Sequence, residues 1–116
     1  MQNDIFDLTD SVIIVTGGLG QLGRQYTLAL ADRGAKVAVF DMDVNDERVR
    51  DRFGDRSGNE ALMFVESDVT SRASLEEAVR QVEQAWGPPT GLINNAALDS
   101  PPGAPAAENG PFEEYP

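Results

Sequence analysis

The chain contains no cysteine and no histidine among its 116 residues. Without cysteine it has no disulfide bond, no thiolate metal ligand and no cysteine nucleophile. Without histidine, acid–base chemistry near neutral pH would need another group with a perturbed pKa. No serine of this sequence therefore has an obvious base that would activate it as a nucleophile.

Positive charge is also scarce. The chain has 9 basic residues, of which Lys36 is the single lysine, compared with 20 Asp and Glu, so its net charge is −11. Nucleic acids and anionic membrane surfaces both require a basic face, so neither is an expected partner. The acid-rich, lysine-poor balance fits either a high-salt cytoplasm or a codon usage that favours arginine.

Long hydrophobic runs are missing as well. The N-terminal segment MQNDIFDLTD is acidic and resembles neither a secretory signal nor a transmembrane helix. We therefore expect a soluble, cytoplasmic protein. A hydrophobic content of 41% in 116 residues predicts one globular domain or part of a larger one.

Strand and helix patterns alternate along the chain. Short apolar runs predict four strands and helical periodicity predicts three helices between them, in the order β-α-β-α-β-α-β. The predicted strands are residues 12–15, 36–40, 61–65 and 91–94, and the predicted helices are residues 21–33, 45–53 and 71–86. Residues 55–59 are predicted to form a loop. This order indicates an α/β fold with a parallel sheet and helices on both of its faces.

Two of the helices have recognisable faces and ends. The first is expected to end at Gly34 and to bury one apolar side, formed by Leu22, Tyr26, Ala29 and Leu30. The third carries an apolar stripe from Leu75 to Trp86, with Ser71 or Ser74 as its N-cap. After Ala97 the sequence holds 5 of the 7 prolines and no periodicity, so residues 98–116 are predicted to be a Pro/Gly-rich loop or a disordered tail.

Four glycines, at positions 17, 18, 20 and 23, follow the first strand and open the first helix. At such a helix N-terminus, unpaired N–H groups and the positive end of the helix dipole attract a pyrophosphate, and bare backbone lets it approach. Gly23 would let the helix pack closely on the strand. This context favours dinucleotide binding; the alternative is a tight turn that binds no ligand.

The second strand ends in Asp41, 18 residues after Gly23, near the spacing expected for the acid that binds an adenosine ribose. Its carboxylate would accept hydrogen bonds from both ribose hydroxyls and would repel a 2′-phosphate. Because Met42 and Gly18 are not basic, we expect no positive side chain nearby for that phosphate. The sequence therefore favours NAD over NADP; the alternative for Asp41 is a solvated loop acid.

Three segments together resemble the short-chain dehydrogenase/reductase family: TGGLGQLG (16–23), Asp68-Val69 and NNAA (94–97). The resemblance covers about residues 8–116. It implies a Rossmann-type doubly wound parallel sheet, truncated after its fourth strand, with residues 1–97 as an NAD-binding half-domain. It also implies that Asp68 and Val69 contact the adenine and that residues 94–97 line the adenine-ribose side and brace the central strand. From the residues alone, Asp68 is equally an acid at the start of a helix, and Asn94-Asn95 a turn.

The predicted cofactor-binding residues are therefore drawn from the ends of all four strands. They are Thr16, Gly17, Gly18, Leu19, Gly20, Gln21, Leu22, Gly23, Asp41, Met42, Asp68, Val69, Asn94, Asn95, Ala96 and Ala97. No metal ligand is predicted.

Two motifs favour different subgroups of the family. The spacing GxxGxxG resembles the extended subgroup of nucleotide-sugar epimerases and dehydratases, because the other main subgroup has glycine where Gln21 stands. NNAA resembles the NNAG signature of the dehydrogenase-type subgroup, with Ala97 in place of its glycine. The longer match, INNAA, favours the dehydrogenase type.

The family's catalytic Ser, Tyr and Lys have no counterpart here, so no catalytic residue is predicted. Family enzymes carry the last two as YxxxK, but Tyr26 is followed four residues later by Leu30, Tyr115 is penultimate, and Lys36 has neither tyrosine at that spacing. We expect the N-terminal cofactor-binding portion of a longer enzyme, inactive and marginally stable by itself, with weak NAD binding.

The resemblance implies an NAD(P)-dependent oxidoreductase that, when complete, acts on CH–OH groups by passing hydride between NAD(H) and an alcohol or carbonyl substrate. Its partners would be the dinucleotide, an unknown small-molecule substrate and further copies of itself in a homo-oligomer. The alternatives are a fragment of an extended-type epimerase or dehydratase, and a non-catalytic dinucleotide-binding module that is complete at this length.

Overall fold

The structure is a computed structural model that describes residues 6–96. Its elements in chain order are β1 (Val12–Thr16), α1 (Gln21–Asp32), β2 (Lys36–Asp41), α2 (Asp46–Phe53), a 3₁₀ helix (Gly54–Gly58), β3 (Leu62–Glu66), α3 (Arg72–Trp86) and β4 (Gly91–Asn94). The predicted order is confirmed, and each predicted bound lies within about one residue of the observed one. The loop predicted at residues 55–59 was wrong, because a 3₁₀ helix occupies most of it. Ala97 and residues 98–116 lie outside the described residues.

The four strands form one parallel sheet in the order β3-β2-β1-β4. From β1 the chain adds β2 and then β3 on one side, and it then crosses back to add β4 on the other side of β1. The direction of winding therefore reverses between β1 and β4. In open α/β sheets this reversal leaves a crevice outside the carboxyl ends of the strands.

Both faces of the sheet are buried, which explains why β1 is apolar along its length rather than alternating. Ile13 and Val15 belong to the core that α2 and part of α1 cover, whereas Val12 and Ile14 belong to the core under α3. All five residues of β1 are buried. The predicted doubly wound α/β sheet is confirmed.

Side-chain caps and a glycine set the helix ends. The Asn45 side-chain oxygen accepts a hydrogen bond from Arg48 N at 2.9 Å and starts α2. Of the two candidates for α3, Ser71 is the cap, since its hydroxyl accepts from Ser74 N at 3.2 Å. Gly34 has φ +97° and its N–H donates to Ala31 O at 3.0 Å, so it ends α1 as predicted.

The buried side of α1 differs from the prediction. Gly23 and Thr27 are its buried residues, whereas three of the residues predicted to be buried are exposed: Leu22 (56%), Tyr26 (39%) and Ala29. An ideal Cβ on Gly23 would lie 2.2 Å from Gly17 O. This close contact fixes the rotation of α1, so that Leu22 and Tyr26 turn outward, whereas Leu28 and the predicted Leu30 pack against the core while partly buried.

The predicted apolar stripe of α3 packs on the sheet at all but one of its positions. Ala78 and Val82 are buried, and Leu75, Val79 and Trp86 pack against them while partly exposed; Ala85 is exposed.

α3 has 15 residues. Within residues 6–96, no helix combines the length and the apolar character that crossing a bilayer requires.

Candidate functional site

A cleft of about 300 Å³ opens at the carboxyl ends of the strands. Its walls come from residues that end or follow each of the four strands, together with one residue of α2. They are Gly17, Gly20, Phe40, Asp41, Met42, Arg48, Ser67, Val69, Asn95 and Ala96. A cleft assembled in this way beside the point of reversal is where open α/β sheets bind ligands.

A larger, apolar cleft of about 580 Å³ lies between α3 and β4. None of its described lining residues is charged, and Leu92 in its wall is 63% exposed. Its described lining therefore offers no positive charge to a phosphate. The smaller cleft is therefore the candidate for a charged ligand, in spite of its size.

The turn that follows β1 has no room for a side chain at Gly17 or Gly18. An ideal Cβ would lie 2.9 Å from Ala96 Cα if placed on Gly17 and 2.4 Å from Val39 Cγ1 if placed on Gly18. Gly17 also has φ +68°, a conformation that side chains disfavour. Gly23 lets α1 pack closely, as predicted, although its contact is with this turn rather than with β1. These glycines are thus needed for packing.

The start of α1 is the least occupied helix N-terminus at the cleft. Its N-cap is Gly20, no described side chain bonds to its first N–H groups, and its first turn contains no acid. In contrast, Asn45 and Ser71 cap α2 and α3. The first N–H groups of a helix have no acceptor within it and lie at the positive end of its dipole. This end of α1 can therefore accept an anion such as a pyrophosphate.

Asp41 ends β2 with its carboxylate at the cleft. Its Oδ2 accepts a hydrogen bond from Leu19 N at 3.0 Å, and its Oδ1 accepts from Met42 N at 2.8 Å. The bond from Leu19 ties the glycine turn to β2 and orients the carboxylate. A carboxylate oxygen has two acceptor positions, so Asp41 retains capacity to accept from two neighbouring hydroxyl groups.

A basic side chain lies beside Asp41, and the prediction that none is nearby was wrong. Arg48 Nη1 is 3.6 Å from Asp41 Oδ1 and donates to Asp43 O at 2.7 Å. Residues 18 and 42 are indeed not basic, but the first turn of α2 folds back against the cleft and brings Arg48 there. A preference for an unphosphorylated ribose therefore depends on Asp41 and not on an absence of positive charge.

Thr16 and Asn94 do not line this cleft but support the residues that do. Thr16 Oγ1 accepts hydrogen bonds from Asn95 N and Ala96 N, both at 3.0 Å, and donates to Asn94 Oδ1 at 3.3 Å. Asn95 Nδ2 donates to Gly17 O at 3.2 Å. These bonds join the segment after β4 to the glycine turn and hold Asn95 and Ala96 at the cleft.

Of the predicted pair Asp68 and Val69, Val69 lines the cleft. Asp68 Oδ1 accepts from Thr70 Oγ1 at 2.6 Å and from Thr70 N at 2.9 Å. These two hydrogen bonds, the first more than the second, hold the pKa of Asp68 below its ordinary value. Ser71 N donates to Asp68 O at 3.0 Å, so Asp68 also shapes the turn that leads into α3.

The other predicted residues surround the glycine turn. Leu19 is fully buried in the core, Gly18 is buried against Val39, and Gln21 and Leu22 are exposed on the first turn of α1. The structure thus brings Gly17, Gly20, Asp41, Met42, Val69, Asn95 and Ala96 together at the cleft.

Three cleft residues were not predicted from the sequence: Phe40, Ser67 and Arg48. Ser67 is 2% exposed, and its hydroxyl has no hydrogen-bond partner among the described residues. Buried polar atoms are rarely left unpaired, so this hydroxyl suits a ligand in the cleft. Its sequence signal was a serine directly after the apolar strand LMFVE. Arg48 gave no such signal, because its contact depends on how α2 folds back.

A sequence model described as short chain dehydrogenase matches residues 11–115. The chain belongs to the short-chain dehydrogenase/reductase family. The resemblance seen in its sequence motifs is therefore confirmed, and the relatives cited below are dehydrogenases or reductases. The family is one of oxidoreductases that use a dinucleotide cofactor.

Individual relatives agree with this assignment. The chain is 38% identical to cyclohexanol dehydrogenase from Rhodococcus sp. (strain TK6), over 72% of this chain and 35% of the relative. It is 35% identical to a CLA biosynthesis dehydrogenase/reductase from Lactiplantibacillus plantarum, over 82% and 33%. A solved 3-ketoacyl-(acyl-carrier-protein) reductase from Brucella melitensis, complexed with NADH, superposes with a TM-score of 0.70 at 27% identity, over 80% of this chain and 36% of that one. The chain spans about a third of the length of these relatives.

Proposed function

We propose that this chain is the NAD-binding portion of a short-chain dehydrogenase/reductase in which hydride passes between NAD(H) and an alcohol or carbonyl carbon. One observation carries the proposal. The cleft combines the open N-terminus of α1 with the Asp41 carboxylate on the neighbouring strand, 3.0 Å from Leu19 N in the glycine turn. An anion site and a site for two hydroxyl groups are thus held side by side, as the pyrophosphate and ribose of a dinucleotide require.

Each part of the cleft has a role in this proposal. The N–H groups at the start of α1, next to Gly20, bind the pyrophosphate. Asp41 accepts hydrogen bonds from the ribose hydroxyls, and Val69 and Ala96 flank the adenine. The unpaired hydroxyl of Ser67 provides a polar contact in the same wall. When bound, NAD supplies the carbon that accepts or donates the hydride.

The preference for NAD over NADP follows from negative charge at the ribose position. A 2′-phosphate would meet the Asp41 carboxylate, and like charges at short range repel each other. Glu66 adds a second carboxylate, since it is the partner of Asp41 in the register of β2 and β3. An unphosphorylated ribose avoids both charges and gains hydrogen bonds from Asp41.

The role of this chain is to bind the cofactor rather than to make or break bonds in the substrate. Tyr26 lies on the exposed side of α1. Lys36 lies at the start of β2, at the opposite end of the strand from Asp41, with its Nζ 5.9 Å from the centre of the Trp86 ring. Neither is among the cleft residues, so the described residues offer no tyrosine–lysine pair beside the cofactor.

The dehydrogenase type is favoured over the epimerase type by the names of the relatives. Both curated relatives reported above are dehydrogenases or reductases, and the solved relative is a reductase complexed with NADH. The INNAA segment had favoured the same subgroup. The second asparagine of this segment, Asn95, is held at the cleft by its bond to Gly17 O.

Calorimetric titration of the 116-residue chain with 5′-AMP and with nicotinamide mononucleotide tests the proposal. We expect 5′-AMP to bind and to compete with NAD, because the cleft holds the adenosine side of the cofactor. Nicotinamide mononucleotide has the same ribose hydroxyls and 5′-phosphate but lacks the adenine that Val69 and Ala96 flank, so it should bind at least about tenfold more weakly. Equal binding of the two mononucleotides, or NAD binding that 5′-AMP does not displace, would contradict the proposal.

A further inference from the structure

Arg48 brings a positive charge to the part of the cleft where Asp41 meets the ribose. Among the described residues that line the cleft it is the one cation, and it shares the wall with Asp41 and Met42. Its Nη1 is 3.6 Å from Asp41 Oδ1. Its side chain is 34% exposed, compared with 15% for Asp41, so a ligand in the cleft can reach it.

The guanidinium of Arg48 has donors to spare. One N–H on Nη1 donates to Asp43 O at 2.7 Å, which anchors the side chain to the loop between β2 and α2. A guanidinium has five N–H donors in a planar fork, an arrangement that matches the oxygens of a phosphate. At 3.6 Å the contact with Asp41 is an ion pair rather than a hydrogen bond. Arg48 is therefore anchored and partly exposed to solvent, and some of its N–H donors remain available to a ligand.

This inference rests on the dinucleotide site proposed above. We propose that Arg48 is able to bind a 2′-phosphate on the ribose and that Asp41 prevents it from doing so. With Asp41 present, its carboxylate neutralises the guanidinium and repels a phosphate on the ribose. Without Asp41, an anchored arginine remains beside the place of the ribose hydroxyls. The choice between an unphosphorylated and a 2′-phosphorylated ribose then depends mainly on this ion pair.

Glu66 opposes a 2′-phosphate independently of Asp41. Its Oε1 accepts a hydrogen bond from Val44 N at 3.3 Å, which holds the carboxylate at the β2–α2 loop. Its charge therefore remains when Asp41 is replaced. Adding Glu66→Gln to an Asp41 variant should further strengthen binding of a 2′-phosphate.

The test compares adenosine 2′,5′-bisphosphate with 5′-AMP by calorimetric titration of the 116-residue chain. The wild type should prefer 5′-AMP. Asp41→Ser should shift the ratio of the two dissociation constants by about tenfold or more toward the bisphosphate, since a hydrogen bond to a charged group is strong. Asp41→Ser combined with Arg48→Gln should lose this shift. Asp41→Asn is a second variant, because its amide oxygen can still accept from Leu19 N.

Two further variants complete the design. Arg48→Gln alone should increase the preference of the wild type for 5′-AMP, which tests the role of Arg48 even if both Asp41 variants fail to fold. Arg50→Gln removes the same charge from an exposed position of α2 outside the cleft. It should leave the ratio at its wild-type value.

The outcomes separate this inference from the function on which it rests. If the wild type binds 5′-AMP but folded Asp41 variants show no shift, or the double variant keeps the shift, the role of Arg48 is overturned and the dinucleotide site stands. An unchanged ratio in Arg48→Gln also overturns it. If the wild type binds neither nucleotide, the dinucleotide site fails and the role of Arg48 fails with it.

Discussion

At the scale of single residues, glycines of this chain differ sharply in what surrounds them. The position of a Cβ on Gly23 is 2.2 Å from Gly17 O, a backbone atom that cannot swing aside, whereas nothing lies within 4 Å of a Cβ on Gly58. Gly58 is also not among the glycines with positive φ. A methyl group is thus expected to be costly at one position and harmless at the other.

We expect Gly23→Ala to lower the free energy of unfolding by about 1–3 kcal/mol, since overpacking displaces α1 from the turn. The matched variant Gly58→Ala should leave it unchanged or raise it by roughly 0.4–1 kcal/mol, because alanine restricts the unfolded chain. Urea unfolding of both variants measures the difference. Equal stability of the two variants would show that the contact between Gly23 and Gly17 is not as tight as described.

The predicted residues that lie at the cleft are ones that a local sequence pattern marked. The glycines follow β1 and open α1, and Asp41 ends β2, all at a characteristic spacing. Thr16 was expected at the cofactor but instead holds Asn95 and Ala96 through its hydroxyl. Arg48 was missed, because no local pattern shows that the first turn of α2 returns to the cleft.

At the scale of elements, the N-terminus of α1 lacks stabilising caps and charges, which leaves its N–H groups open to a ligand. Its N-cap is a glycine and its first turn has no acid, although a carboxylate there would interact favourably with the helix dipole. Gln21 is exposed on this first turn, and Gln25 is exposed one turn later. The pair allows the effect of charge at the N-terminus to be separated from that of charge on the helix.

We expect Gln21→Glu to raise the free energy of unfolding by about 0.3–1 kcal/mol and to weaken NAD binding, because the new carboxylate occupies the field that attracts the pyrophosphate. Gln25→Glu adds the same charge farther from the N-terminus and should change both quantities less. Thermal unfolding and calorimetric titration measure them. Stronger NAD binding in Gln21→Glu would be incompatible with a pyrophosphate at this end of α1.

The elements themselves were predictable because most of their signals are local. Short apolar strands, the candidate serine caps of α3, and Gly34 marked the elements to within about one residue. The buried side of α1 was not predictable in this way. Hydrophobicity pointed to Leu22 and Tyr26, but the contact between Gly23 and the glycine turn decides the rotation of the helix, and that contact is tertiary.

At the scale of the whole molecule, the dominant property is a net charge of −11. Surplus charge of one sign destabilises a compact state by self-repulsion, which salt screens. The surface also carries ion pairs that salt would weaken, such as Arg56–Asp32 at 2.7 Å. Exposed ion pairs contribute little, so repulsion should dominate the response to salt.

We expect the midpoint of thermal unfolding to rise as sodium chloride increases from about 0.01 M to 0.15 M, because the Debye length falls from roughly 30 Å to 8 Å. If screening is the whole cause, little further gain should follow toward about 1 M. A continued rise into the molar range would favour adaptation to a high-salt cytoplasm. A flat or falling midpoint across the entire range would contradict the dominance of self-repulsion.

The central claim, that the chain binds NAD in the cleft at the ends of its strands, is tested most directly by amide chemical-shift mapping. The nitrogen-15-labelled chain is titrated with NAD while all amide signals are followed. We expect shifts concentrated at Gly20, Gln21, Met42 and Asn95, with the exposed face of α3 near Arg80 unaffected. Shifts concentrated instead in the apolar cleft between α3 and β4, or no shifts at saturating NAD, would contradict it.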